Sequence, residues 1–210
     1  MTGAPIEALK VGAQLIGEKY YNAEQRPFEQ FYTMVYNTNC TVYSEPNLDA
    51  YTARINSIGA TGCTVFMNVF VQIEELLKRY PDTEELVVIF ITDGKDKYHR
   101  YFNGNVSEQY DLVSARIKSM PNLRTKFLTV GFSRDHDAAF MNRIANFGHE
   151  RGNFVFIDSC EQGWRDNLNA TMLDQLEIAL ESSAKVKFSI KNAALGTEEL
   201  ISVEPCYHAQ

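Results

Sequence analysis

Apolar positions along this chain recur at two spacings, one helical and one extended, with proline and glycine marking the changeovers. Ile6, Leu9, Ala13 and Ile16 repeat at helical spacing after Pro5, which suits a first helical position, so a helix is predicted over 5–20. FYTMVYN (31–37) and TVY (41–43) predict two short strands joined by a turn at Thr38-Asn39-Cys40. Residues 47–58 are weakly helical in pattern. Gly59 to Thr64 then form a glycine-punctuated loop. After it Val65, Phe66, Val69, Phe70, Ile73, Leu76 and Leu77 mark the broad apolar face of a helix that ends before Pro81.

The segment LVVIFITDG (86–94) organises the rest. Leu86 to Ile91 are apolar without alternation, which predicts a strand covered on both faces, at the centre of a parallel sheet. It ends in Thr92, Asp93 and Gly94. Ligands of open α/β sheets sit at the carboxyl ends of the strands, which makes Asp93 a candidate ligand; the other reading is that it shapes a turn. A polar loop follows to about Val106, and loops of that length at a sheet edge are often contact loops. Tyr110, Val113, Ile117 and Met120 mark a helix stopped by Pro121. KFLTVGF (126–132) predicts a strand, 138–147 a helix with Gly148 as its C-cap, and NFVFID (153–158) a further buried strand. Leu168, Met172, Leu176 and Leu180 line one side of a final helix.

Strands alternating with helices predict an α/β fold: an open, mostly parallel sheet with helices on both faces and one antiparallel hairpin. One domain is expected over 1–182. Residues 183–210 contain KVKFSI and ELISVEP, which alternate like short exposed strands, and form a β-like C-terminal tail or the start of a second β-rich unit.

Composition narrows the function classes. With 210 residues, 45% of them hydrophobic, the chain can bury a sizeable core. A formal net charge of -7 argues against a nucleic-acid partner held through phosphates, and Lys95, Lys97, His99 and Arg100, the one basic cluster, are expected in a solvated loop. No apolar run reaches the length of a membrane span, so membrane insertion is not expected. Cys40, Cys63, Cys160 and Cys206 are far apart, which predicts free buried thiols rather than a disulfide framework or zinc site. The opening MTGAPIEALK has neither a basic nor an apolar leader pattern, so a cytoplasmic location is the default expectation, subject to what a longer chain would carry upstream.

Two sets of residues bear on chemistry. Gly59-Ala60-Thr61-Gly62 resembles the glycine fingerprint of short-chain dehydrogenases, and the resemblance implies an NAD(P)-dependent oxidoreductase. That mechanism needs a strand before the loop, a third glycine and a later acid; here Val65 holds the third-glycine position and YTARINS precedes the loop. The second set is Thr64, at a helix start, and Asp93, at a strand end. A hydroxyl and a carboxylate are hard oxygen ligands suited to Mg²⁺ or Ca²⁺, although Thr64 also reads as an N-cap. His136, between Asp135 and Asp137, is expected in a solvated cluster at a helix start. Tyr98, Tyr101 and Phe102 are either partner anchors or packed back on the sheet, and Trp164 packs the last helix onto the core.

Taken in order, these pieces resemble the von Willebrand factor type A domain. In that family a metal-ion-dependent adhesion site joins an Asp-x-Ser-x-Ser ending the first strand, a Thr in a later loop and an Asp ending the fourth strand. Thr64 matches the second piece, with Thr61 the weaker match, and Asp93 matches the third. Met1-Thr2-Gly3-Ala4-Pro5-Ile6 resembles the stretch that follows the first piece, so by this alignment the first central strand and its motif are missing. The resemblance implies a protein-interaction module rather than an enzyme, with an incomplete metal site and an unknown protein partner. It implies no cofactor as written, Mg²⁺ (or Ca²⁺ or Mn²⁺) were the motif restored, and a fragment of a longer protein.

Overall fold

The computed structural model describes residues 4–24 and 28–183, and the backbone of two further strands at 186–192 and 197–203. Helix α1 (Ala4–Tyr21) leads into a hairpin of β1 (Thr33–Tyr36) and β2 (Cys40–Tyr43), then α2 (Leu48–Ser57) and α3 (Met67–Arg79). Next come β3 (Glu85–Thr92), a single 3-10 turn at Tyr98–Arg100, α4 (Val106–Lys118), β4 (Arg124–Gly131), α5 (Ala138–Ala145), β5 (Asn153–Phe156) and α6 (Trp164–Ser183). Strands β6 (Val186–Asn192) and β7 (Thr197–Val203) pair antiparallel, in keeping with the alternating tail; residues 204–210, with Cys206, lie outside the described residues.

Strands β3, β4 and β5 form a parallel sheet in that order, and β1–β2 form a separate antiparallel pair. Helices cover both faces. On one, Phe66, Phe70 and Ile73 of the α3 segment meet Phe90, Phe127, Tyr110 of α4 and Met141 of α5. On the other, Ala8 and Ile16 of α1 meet Val130, Phe132 and Leu168, Met172 and Leu176 of α6, with Trp164 against them as expected. Alternation in β3 decides which face each residue serves: Leu86, Val88 and Phe90 join the first cluster, Ile89 and Ile91 the second. The apolar run is therefore two-faced, as its composition predicts.

The expectation that this run is the central strand is corrected. The three-stranded sheet is centred on β4, and β3 is at its edge. Consequently Glu85 to Ile89 are half-buried, whereas Phe127, Leu128, Thr129 and Val130 of β4 are fully enclosed. β5 is the other edge, and Phe156 is 46% exposed, so NFVFID is not the buried strand its composition predicts. Hairpin β1–β2 lies beside β3. Tyr32 is near Tyr80 (ring centroids 6.3 Å apart), before β3 begins, and Tyr36 stacks on Phe90 (5.3 Å) towards its end, so β1 and β3 run in the same sense.

Helix starts are set by local chemistry. Asn47, Asn105 and Asp137 each accept a backbone N–H in the first turn, from Ala50, Glu108 and Phe140. Gly148 is not the C-cap of α5; Asn146 is, and Gly148 lies against the Thr125 carbonyl, where a side chain would not fit. The thiols are not uniformly buried either. Cys40 and Cys63 are half-buried and Cys160 exposed, all three free, and burial pushes the Cys40 thiol up to about 11.

Candidate functional site

Thr64 lies three residues before α3, in a loop stitched down on two sides. On one side it meets the β1–β2 turn: Val65 N–H donates to the Asn37 carbonyl (2.9 Å) and Cys63 N–H to Thr38 Oγ1 (3.0 Å). Gly62 adopts φ +74 beside Thr38 Oγ1, a left-handed conformation that suits glycine. On the other side it meets the loop after β3, where Lys97 N–H donates to the Thr64 carbonyl at 2.7 Å. Thr64 does not cap α3, which has no side-chain cap at all.

Asp93 follows directly on the last residue of β3. The Ser133 hydroxyl, just beyond β4, donates to the Asp93 carbonyl, and Thr92 Oγ1 accepts Gly94 N–H at 3.2 Å. A Cβ built on Gly94 would lie 3.3 Å from Thr64 Oγ1. The threonine hydroxyl therefore comes against Gly94, the residue next to Asp93. Parallel strands end on one side of a sheet, so β3 and β4 deliver Asp93 and Ser133 to the same edge.

Asp96, which the sequence reading missed, organises this edge. Its Oδ1 accepts the N–H of Phe66 (3.0 Å) and of Tyr98 (3.1 Å), and its Oδ2 accepts the Tyr110 hydroxyl (2.8 Å). One carboxylate thus ties the α3 entry, the loop after β3 and α4 together. Its donors sit at unrelated sequence distances, so no motif announces it. Burial and the neighbouring Asp96 charge push the Tyr110 phenol well above its ordinary value. Tyr98 folds back, stacked on Phe102 (5.3 Å) and edge-on to Tyr110 (6.0 Å), while Tyr101 is 54% exposed. Lys95, His99 and Arg100 are exposed, as expected of a solvated loop, whereas Lys97 of the same cluster is half-buried.

A hard cation takes six or more oxygens. Thr64 and Asp93 offer one hydroxyl and one carboxylate, and the nearby Asp96 carboxylate is already spanned by three donors. Among the described residues no group of three or more His, Cys, Asp or Glu could hold a metal ion.

The other candidates separate. The residues before Gly59 are helix α2, so Gly59–Gly62 lacks the strand that a dinucleotide fingerprint requires. His136 is not solvated: it is 9% exposed, set over Gly131 and beside Phe156 (4.8 Å), and its Nε2 has no hydrogen-bond partner among the described residues. A surface hollow of about 280 Å³ at the end of β5, lined by Phe156, Asp158, Glu161 and Thr171, includes neither Thr64 nor Asp93. No helix among the described residues is long and apolar enough to cross a membrane.

No family model matches the sequence, and no curated protein matches it. Solved structures do match the fold. A von Willebrand factor type A protein from Catenulispora acidiphila superposes over 88% of this chain with TM-score 0.59 at 16% identity. Proximal thread matrix protein 1 from the mussel byssus, in a structure with a zinc-occupied MIDAS motif, covers 83% with TM-score 0.56 at 17% identity. The VWA2 paralog of ArnB from Sulfolobus acidocaldarius covers 95% with TM-score 0.50 at 14% identity. The chain spans 39%, 40% and 48% of these three structures.

Proposed function

We propose that this chain, a von Willebrand factor type A-like domain by its fold, is a protein-interaction module whose cation site, at Thr64 and Asp93, is incomplete and whose role is not enzymatic. The observation that carries the reading is the meeting of the Thr64 loop with Asp93-Gly94 at the carboxyl edge of the sheet. That edge is where this architecture presents ligand-binding residues. One hydroxyl and one carboxylate are too few for tight coordination of Mg²⁺. Recognition then falls to the loop after Asp93, with Tyr101 as its exposed aromatic anchor.

A calorimetric titration tests the cation part. Mg²⁺ is expected to show no saturable binding tighter than about millimolar, the weak end of protein oxygen sites. Micromolar binding that is abolished by Asp93→Ala would overturn it. For the interaction itself, a photo-crosslinker placed at Tyr101 is expected to capture partner protein equally with and without chelator. Capture that appears only when Mg²⁺ is present would show that the cation, not the loop, carries recognition.

A further inference from the structure

Lys95, Lys97 and Arg100 lie within six positions of a chain whose net charge is -7. Nine other lysines and arginines each pair with a carboxylate within 4.0 Å, whereas among the described residues these three pair with none. Asp96, between the two lysines, turns its carboxylate inward to Phe66, Tyr98 and Tyr110. Asp93 stands half-buried at the foot of the loop, and no further acid follows Asp96 until Glu108 in the first turn of α4. Lys95, His99 and Arg100 are exposed, and Tyr101 beside them is 54% exposed. The acid inside the loop faces in, while the cations and one ring face out.

The loop is also held in shape by its own backbone. Lys97 N–H donates to the Thr64 carbonyl (2.7 Å), Arg100 N–H to the Lys97 carbonyl (2.9 Å) and Tyr101 N–H to the Tyr98 carbonyl (2.8 Å), and Tyr98 stacks on Phe102. A loop already ordered pays less of the entropy of association. We infer that residues 95–101 are a docking site for a short acidic segment of a partner protein, with Lys95, Lys97 and Arg100 taking its Asp or Glu carboxylates and Tyr101 its apolar neighbour, and with no bridging cation. Ammonium and guanidinium groups bind carboxylates through charge-assisted hydrogen bonds, and a guanidinium can make two to one carboxylate. Exposed ion pairs contribute little singly, so affinity comes from several made together around an aromatic contact. Nucleic acid and anionic membrane fit less well. A membrane-binding cluster uses about four to eight Lys or Arg, and a net charge of -7 repels a long polyanion beyond the loop. The inference rests on the reading that recognition falls to the loop after Asp93, and names the partner's chemistry.

The test uses the full chain with two rhodamine-labelled peptides, Gly-Glu-Asp-Phe-Asp-Glu-Gly and its amide counterpart Gly-Gln-Asn-Phe-Asn-Gln-Gly. The acidic peptide is expected to raise anisotropy equally in Mg²⁺ and in chelator, and to weaken about tenfold as salt rises from about 50 to 500 mM. The amide peptide is expected to bind about tenfold more weakly. Lys95→Glu with Arg100→Glu is expected to lose about tenfold in affinity with an unchanged circular dichroism spectrum, since both side chains are exposed. Lys78→Glu with Arg79→Glu makes the same change in net charge at the end of α3, just before β3 begins and so beside the opposite edge of the sheet. That variant is expected to leave binding within about twofold.

Equal binding of the two peptides would overturn the inference, as would binding that needs Mg²⁺ or that falls as far in the Lys78 and Arg79 variant. Tighter binding of an oligothymidylate, or of phosphatidylserine vesicles, than of the acidic peptide would overturn it in favour of a phosphate-bearing partner. If the Lys95 and Arg100 double variant does not fold, the comparison of the two peptides on the unsubstituted chain decides. Capture by a crosslinker at Tyr101 that excess acidic peptide fails to displace would overturn the inference and leave the loop reading standing. Capture lost at Tyr101 but kept by a crosslinker elsewhere would overturn the loop reading itself.

Discussion

Asp96 shows what a single residue does here. Its carboxylate accepts from Phe66, Tyr98 and Tyr110, and the Tyr110 side chain is among the largest fully buried in the molecule. Removing the acceptor leaves polar groups in a partly enclosed place without a partner, which costs more than the bonds themselves contribute. Asp96→Ala is therefore expected to lower stability by about 2–4 kcal/mol, read from the urea midpoint, with Asp96→Asn intermediate. Thr64 and Asp93 were legible as residues because a hydroxyl opening a helix and a carboxylate closing an apolar strand are local patterns. Asp96 was not, since its donors come from three segments. His136 misled for a related reason: two flanking carboxylates suggest water, yet the ring turns inward over Gly131 beside Phe156.

Among the elements, β4 rather than β3 is the middle strand of the three-stranded sheet. The run at Leu86–Ile91 is the more apolar, yet β4 is the central strand. Hydropathy reports which faces are covered, and both faces of β3 are. It carries no information on which backbone pairs with which, because the ladder is the same for every residue but proline. The link from α5 to β5 depends on a close backbone approach. Gly152 lies against the carbonyls of Phe127 and Ala145, leaving no room for a Cβ, and its N–H donates to the Ala145 carbonyl at 3.0 Å. The obstacles are backbone atoms, so they cannot rotate away. Gly152→Ala is expected to destabilise by about 1–3 kcal/mol, the usual cost of overpacking, as a shift in the denaturation midpoint. Gly59, where a Cβ would meet nothing within 4 Å, is the matched control: Gly59→Ala is expected to leave the midpoint nearly unchanged.

Across the whole molecule, Phe70 joins the layers. Its ring lies 6.1 Å from Phe90 of β3, 6.2 Å from Phe127 of β4, 5.7 Å from Tyr110 of α4 and 5.3 Å from Phe147, and it is fully buried. Phe70→Ala is expected to cost about 3–5 kcal/mol, a large share of the ~5–15 kcal/mol typical of a domain, and to unfold the chain near 37 °C. Circular dichroism through a thermal scan checks it.

The sequence by itself determined the order and type of the elements, the two-faced character of β3 and the residue types at the strand ends. These follow from periodicity, proline and glycine positions and local capping, all of which act within a few residues. Tertiary structure alone decided that β4 is the middle strand of the three-stranded sheet, that Thr64 comes against Gly94, and that Asp96 is spanned by three donors. The strand order depends on which strand lies beside which, the Thr64–Gly94 approach and the Phe66–Asp96 bond each join positions thirty residues apart, and the Tyr110–Asp96 bond joins positions fourteen apart. Such pairings are settled by the packing of whole faces, where no single residue's character specifies its neighbour.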